Sequence, residues 1–170
     1  MLLLYTGPGK GKTSACVGQC LRALGQGMTV AFGQFMKRDA QAGEQHMLHQ
    51  LLGPRFYAGG IGFFRDESQR EAQRAAAGEV LAWAQAQLAA KPAPDMLILD
   101  EACNALGHGL LTRQDVEEVC ALCRGAGCHL VLSGRSAPDW LEAAADLVTR
   151  MDEVKHPYRA GVAAQRGIEF

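Results

Sequence analysis

The feature that most constrains the fold is the glycine-rich stretch TGPGKGKTS at residues 6–14, which directly follows the apolar run MLLLY. Gly7, Gly9 and Gly11 allow backbone N–H groups to point inward at an anion, because glycine has no Cβ to obstruct the turn. A strand, such a turn and a Lys-Thr pair that opens a helix are the parts of a phosphate-binding loop. The sequence therefore predicts an α/β protein with a nucleotide site after its first strand.

The predicted loop is one residue shorter than usual. Counting back from Gly11, the GxxxxGK[ST] spacing places the first glycine at position 6, but that residue is a threonine and the glycine comes at Gly7. Lys12 is expected to reach phosphate oxygens and the Thr13 hydroxyl to bind Mg²⁺. Lys10 adds a second cation, and two lysines crowded in one turn repel unless an anion lies between them. This crowding favours a phosphate ligand over an empty turn.

A second acidic motif is expected to supply the metal ligands. The apolar run MLILD is followed by a glutamate, so Asp100 and Glu101 stand where a predicted strand ends. In nucleotide-binding proteins such a pair holds Mg²⁺ (or Mn²⁺) directly or through water. The alternative is an aspartate that only caps the strand end.

Apolar runs and helical stretches alternate along the whole chain. Strands are predicted at residues 1–5, 28–35, 55–58, 96–100, 128–133 and 147–151, and helices at residues 12–25, 43–52, 67–90, 112–124 and 138–144. Strands without polar alternation, separated by helices, indicate a mostly parallel central sheet covered by helices on both faces. We expect residues 1–170 to form a single domain, with residues 152–170 as a tail that packs on the core or on a dimer partner.

Composition excludes several classes of function. The chain has 17 Lys and Arg against 18 Asp and Glu, so it lacks the basic excess of a nucleic-acid binder. Its apolar start is too short for a signal peptide, and no run approaches the roughly 20 apolar residues that cross a bilayer. A cytoplasmic protein without membrane or nucleic-acid partners is expected.

The six cysteines allow two interpretations. Cys120, Cys123 and Cys128 precede His129, which is a possible zinc set. However, Cys120 and Cys123 fall on a predicted amphipathic helix and no second pair follows at zinc-ribbon spacing. Reduced, buried thiols are therefore the favoured prediction.

The chain resembles the P-loop family of ATP:corrinoid adenosyltransferases from end to end. The residues that carry the likeness are TGPGKGKTSACVG, LRALGQG, GQFMK, GGIGFF, LILDE, LSGR and the ending ADLVTRMDEVKHPYRAGVAAQRGIEF. The resemblance implies a three-layer P-loop NTPase fold of the RecA-like type. It also implies that cob(I)alamin attacks C5′ of an ATP bound in reversed orientation, which gives adenosylcobalamin and triphosphate. A shortened loop suits that orientation, and the cobalt nucleophile needs no general base.

The resemblance also assigns candidate residues. It implies that the phosphates are bound by Gly7, Pro8, Gly9, Lys10, Gly11, Lys12, Thr13 and Ser14, with Lys12, Thr13 and Glu101 as catalytic residues and Thr13, Asp100 and Glu101 at the metal. Arg22 matches an arginine near the nucleotide, and Arg135 is a candidate for phosphate or corrin side chains. Lys37 is a weaker candidate.

On the corrinoid side, the resemblance gives Phe63 and Phe64 the task of excluding the lower axial ligand before Co(II) is reduced. The alternative is that both phenylalanines belong to the core. The sequence departs from the family at Arg65, where relatives often have tryptophan. A homodimer and a reduced flavoprotein as electron donor are further expectations from the family.

Two other functions stay open at this point. One is a P-loop ATPase or phosphotransferase, which would release ADP or phosphate, and the other is a carrier that binds ATP and corrinoid without turnover. No Ser-His-Asp or Cys-His arrangement is evident in the sequence. His156 is predicted to make a structural hydrogen bond rather than to act as a base.

Overall fold

The computed structural model describes residues 1–62, 64 and 66–170. Its strands are β1 (Leu2–Thr6), β2 (Val30–Gln34), β3 (Phe56–Ala58), β4 (Met96–Asp100), β5 (His129–Ser133) and β6 (Leu147–Arg150). They form one parallel sheet in the order β3-β2-β4-β5-β1-β6. The helices are α1 (Lys12–Gly25), α2 (Gly43–Leu52), α3 (Arg70–Ala89), α4 (Ala102–Gly107), α5 (Arg113–Ala126) and α6 (Asp139–Ala144).

Helices cover both faces of the sheet, because alternate residues of each strand point to opposite sides. In β1, Leu2 and Leu4 pack into a core with α3, α4, α5 and α6, whereas Leu3 and Tyr5 pack into a second core with α1 and α2. The three-layer parallel α/β fold of the P-loop type, with helices on both sides, is therefore confirmed.

Most predicted elements are present with small shifts at their ends. Thr112 caps α5, since its hydroxyl accepts a hydrogen bond from the Asp115 amide and its own amide donates to the Asp115 carboxylate. The long third helix begins only at Arg70, after a separate 3₁₀ turn at Glu67–Gln69. Helix α4 was not predicted, because its six residues are too few to show a helical period.

The cysteines are buried and unpaired, as predicted for reduced thiols. Within the described residues, no group of three or more His, Cys, Asp or Glu side chains is arranged to hold a metal ion, so the zinc interpretation gains no support. In the same part of the chain, no helix combines the length and apolar character that spanning a bilayer would require.

The strand order brings the functional segments to one edge of the sheet. Strand β5 lies between β1 and β4, and β2 lies on the other side of β4. All strands run the same way, so the phosphate-binding loop after β1 meets the residues that end β2, β4 and β5. Their last residues are Gln34, Asp100 and Ser133.

The short loop packs directly beneath the chain that leaves β6. The Gly9 amide donates a hydrogen bond to the Met151 carbonyl at 2.8 Å. A Cβ on Gly7 would lie 2.4 Å from the Met151 oxygen, and one on Gly9 would lie 2.7 Å from the Asp152 carbonyl carbon. Gly7 also has a left-handed φ of +102°. These glycines are therefore required by backbone packing as well as by any bound phosphate.

Replacing Gly7 by alanine is expected to destabilise the protein by roughly 2–5 kcal/mol, because the new Cβ meets backbone and the residue is held at positive φ. Urea unfolding followed by circular dichroism measures the loss. The matched control is Gly78→Ala in α3, where a Cβ has open space and alanine should stabilise by about 0.5–1 kcal/mol. Equal stabilities of the Gly7→Ala variant and the unmodified protein would contradict this packing argument.

Candidate functional site

The phosphate-binding loop closes around the ammonium of Lys12. This side chain is only 6% exposed, and its Nζ donates to the carbonyls of Gly7 at 2.7 Å and Gly9 at 2.6 Å. Burial lowers the Lys12 pKa, and repulsion by Arg135 lowers it further. A polyphosphate would relieve both costs, since it would bring negative charge next to the buried cation.

The carboxylate of Asp100 is the centre of the polar network under the loop. It is fully buried and accepts hydrogen bonds from Ser133 Oγ at 2.6 Å, Thr13 Oγ1 at 3.0 Å and Gln34 Nε2 at 3.1 Å. A buried charge is costly unless such donors surround it. The donors belong to β5, α1 and β2, so the network ties three elements to the end of β4.

Lys37 enters the same network from the turn after β2. Its Nζ lies 3.0 Å from Thr13 Oγ1, 3.0 Å from Glu44 Oε1 and 3.4 Å from Asp100 Oδ2. Burial alone would lower the Lys37 pKa, but the attraction of Asp100 and Glu44 outweighs it and the pKa is raised. From the sequence alone, Lys37 ranked as a weaker candidate, yet its ammonium contacts Thr13, Glu44 and Asp100.

Glu101 leaves β4 with a strained backbone that turns its side chain toward the cavity. Its φ is +65°, a left-handed value unusual for a residue with a Cβ, and its amide donates to Ser133 Oγ at 3.0 Å. Burial raises the Glu101 pKa, and the neighbouring Asp100 charge raises it further.

A cavity of about 570 Å³ opens above these residues. Four of its described lining side chains are basic, namely Lys10, Lys12, Lys37 and Arg135, which suits a strongly anionic ligand. The described lining consists of residues 9–14, Val17, Lys37, Gly43, Glu44, Glu101, Arg135, His156 and residues 167–170.

The C-terminal residues form one wall of this cavity. Lys10 Nζ donates to the Ile168 carbonyl at 2.5 Å, which joins the tail to the loop. His156 also lines the cavity, and its Nδ1 accepts a hydrogen bond from the Tyr158 amide at 3.2 Å, as predicted for a structural role.

The hydroxyl and carboxylate oxygens at the loop suit a divalent cation that binds together with a nucleotide. Thr13 Oγ1 is hydrogen-bonded to the Asp100 carboxylate, and Glu101 reaches the cavity beside them. Hydroxyl and carboxylate oxygens are hard ligands of the kind Mg²⁺ prefers. Few protein ligands are expected for Mg²⁺, because waters and phosphates supply most of its octahedral shell.

Other predicted site residues lie apart from this cluster. Arg22 is exposed on the last turn of α1 and is not among the described residues that line the cavity. Phe64 is half-buried, with its ring 5.2 Å from the His108 ring and 5.1 Å from the Arg70 guanidinium carbon. Phe63 and Arg65 lie outside the described residues. The nucleotide role of Arg22 and the corrinoid role of the phenylalanines stay predictions.

Sequence reasoning missed three members of the network. Gln34 and Ser133 end β2 and β5, so the rule that ligands gather at the carboxyl ends of parallel strands would have found them. Glu44 lies in the first turn of α2 and left no comparable signal, because its position opposite Lys37 depends on the packing of α2.

Loop and fold together define a P-loop nucleotide-binding protein. A family model described as "ATP:corrinoid adenosyltransferase BtuR/CobO/CobP" matches residues 1–170. The corrinoid adenosyltransferase of Pseudomonas aeruginosa is 40% identical over 174 residues, and the match covers all of this chain and 83% of that protein. The corrinoid adenosyltransferase of Sinorhizobium sp is 37% identical, and the match covers 100% of this chain and 80% of that protein. The corrinoid adenosyltransferase CobA of Salmonella typhimurium is 34% identical, and the match covers 100% of this chain and 85% of that protein.

The chain belongs to the ATP:corrinoid adenosyltransferase family. It is therefore a transferase that moves an adenosyl group from ATP to a corrinoid. The resemblance seen in the sequence is confirmed over the full chain.

The raised pKa of Glu101 predicts a pH-dependent stability in metal-free buffer. The folded-state pKa lies above the ordinary value of 4.5, so the folded protein binds this proton more tightly than the unfolded chain does. The resulting stability is present at low pH and is lost as the pH rises through the folded-state pKa. Glu101→Gln should therefore unfold at a higher temperature than the unmodified protein at neutral pH, and this advantage should shrink as the pH falls through that pKa.

Thermal unfolding across the acidic and neutral range, with a chelator present, measures this difference. The control is Glu118→Gln, which removes an exposed carboxylate on α5 and should leave the pH profile unchanged. A Glu101→Gln advantage that stays constant with pH would contradict the prediction.

Proposed function

We propose that this enzyme transfers the 5′-deoxyadenosyl group of ATP to the Co(I) of a reduced corrinoid, giving adenosylcobalamin and triphosphate. The observation that carries the proposal is the set of four basic side chains gathered around the short loop. A triphosphate leaving group carries several negative charges, which these cations would neutralise. Family membership supports the two substrates, ATP and corrinoid.

The roles of the residues follow from this charge balance. A Co–C bond forms, the C5′–O bond breaks, and the electron pair leaves on the triphosphate. Lys12 and the loop amides neutralise that charge, and Lys10, Ser14 and Arg135 bind along the phosphate chain. Thr13, Asp100 and Glu101 would hold Mg²⁺ or Mn²⁺, which supplies further positive charge to the leaving group. The cobalt brings its own electrons, so the protein has to align and neutralise rather than deprotonate.

Further parts of the proposal rest on the family resemblance. Phe63 and Phe64 would exclude the lower axial ligand, and Arg22 would lie near the nucleotide. A reduced flavoprotein would deliver the electron, and two copies of the chain would form a homodimer in the cytoplasm, without nucleic-acid or membrane partners. Residues 1–170 would act as one domain, with residues 152–170 packed on the core or the partner.

Incubation of the protein with ATP, Mg²⁺ and chemically reduced cobalamin tests the reaction. Adenosylcobalamin is measured by its absorbance and its sensitivity to light, and the phosphate products are separated by anion-exchange chromatography. The expected outcome is adenosylcobalamin and intact triphosphate in equal amounts. Release of ADP or phosphate without adenosylcobalamin would indicate an ATPase, and tight binding without turnover would indicate a carrier; either result contradicts the proposal.

Lys12→Ala is expected to lower kcat by roughly 10²–10³-fold, because the departing triphosphate loses its buried counter-charge. Steady-state kinetics with reduced cobalamin measure the effect. Lys91→Ala, at an exposed position outside the cavity lining, is the matched control and should retain full activity. A Lys12→Ala variant as active as this control would refute the phosphate assignment.

Phe63→Ala is expected to impair reactions that start from Co(II) far more than reactions supplied with Co(I). The physical reason is that a retained axial ligand lowers the reduction potential of Co(II) but has no role once Co(I) is present. Parallel assays with the two cobalt states measure the ratio. Equal losses in both assays would exclude the proposed axial-ligand role of Phe63.

A further inference from the structure

The backbone conformation of the turn after β2 fixes the position from which the Lys37 side chain extends. The preceding residue Met36 has a left-handed φ of +63°, and the Lys37 amide donates to the Phe35 carbonyl at 2.7 Å. The Gly62 amide bonds the Met36 carbonyl at 3.0 Å, and a Cβ on Gly60 would lie 2.3 Å from the Lys37 nitrogen. The segment after β3 therefore presses on this turn and fixes where Lys37 starts.

The ammonium of Lys37 neutralises a buried negative charge. Asp100 is fully buried, and among the described residues Lys37 is the cation within 4 Å of its carboxylate. The same ammonium donates to Thr13 Oγ1, which in turn donates to Asp100. Lys37 thus contacts two of the oxygen-bearing side chains to which we assign the divalent cation.

Two cations cannot occupy this position together. A metal ion bound to Thr13 and close to Asp100 would lie within a few ångströms of the Lys37 ammonium, and charges this close repel strongly in a partly buried site. Glu44 offers the ammonium another place, because its Oε1 is already 3.0 Å from Nζ and it lines the cavity.

We propose that Lys37 holds the place of the divalent cation in the free enzyme and withdraws to Glu44 when the metal arrives with ATP. The inference rests on the proposed metal site at Thr13 and Asp100. Lys37 is on this account a positioning residue that keeps the Asp100 network assembled between turnovers. The Lys37 charge also weakens binding of the free metal ion. The metal therefore enters together with the nucleotide, whose phosphates supply the remaining metal ligands.

Metal binding without nucleotide tests this competition. Lys37→Met should lower the midpoint of thermal unfolding in chelator by roughly 5–10 °C, because Asp100 loses its buried counter-charge. Addition of Mg²⁺ alone should recover at least half of that loss in the variant but shift the unmodified protein by no more than about 1 °C. Titration with Mn²⁺ alone, followed by electron paramagnetic resonance, should show that Lys37→Met binds Mn²⁺ about tenfold or more tightly than the unmodified protein does. A tenfold difference is equivalent to ~1.4 kcal/mol.

Lys37→Gln provides a second variant, since it removes the charge but keeps a hydrogen-bond donor, and it should show the same gain in Mn²⁺ affinity. Lys37→Arg keeps the charge and should bind Mn²⁺ as weakly as the unmodified protein does. Lys91→Met is the control for removal of an exposed lysine. In a double-mutant cycle, Lys37→Met should lower the midpoint of thermal unfolding only slightly in an Asp100→Asn background, because the carboxylate charge that Lys37 neutralises is then absent.

Equal Mn²⁺ affinities in Lys37→Met, Lys37→Gln and the unmodified protein would overturn the inference. So would an undiminished cost of Lys37→Met in the Asp100→Asn background. Neither measurement uses ATP or corrinoid, so failure here leaves the adenosyl-transfer proposal intact, and absence of turnover in the unmodified protein leaves this inference intact.

Discussion

The rest of the site depends on the buried carboxylate of Asp100. A fully buried negative charge must be surrounded by donors or it destabilises the fold. Here the donors come from both neighbouring strands, through Gln34 on β2 and Ser133 on β5, and from the phosphate-binding loop through Thr13. This arrangement is possible because β4 lies between β2 and β5 in the sheet. The hydrogen bonding of Asp100 therefore depends on the strand order.

The network continues outward and orients helix α2. Gln34 accepts a hydrogen bond from the fully buried Gln45 at 2.8 Å, and Gln45 Oε1 accepts from the Gln41 and Ala42 amides at the start of α2. This bonding fixes the first turn of α2, which carries Glu44 opposite Lys37. A chain of glutamines thus connects the charge at the end of β4 to a side chain on the cavity wall.

The sequence predicted those features that depend on local pattern. The phosphate-binding loop, MLILDE and the apolar runs predict the parallel fold, the start of α1 at Lys12 and the strand end at Asp100. Lys37 and Glu44 were underrated or missed, because their meeting depends on the strained turn at Met36 and on the docking of α2. Phe64 was named from family likeness, and its contact with the His108 ring could not be predicted, because His108 lies in a segment far along the chain.

The contact between the short loop and the end of β6 has a consequence for modularity. Met151 and Asp152 lie so close to Gly7 and Gly9 that a Cβ at either glycine would meet the backbone of these two residues. A phosphate-binding loop with larger residues at these two positions could not be transplanted into this scaffold unless the exit of β6 were rebuilt with it. Loop and strand exit therefore form a single inheritable unit, and sequence drift in one restricts the changes that the other can accept.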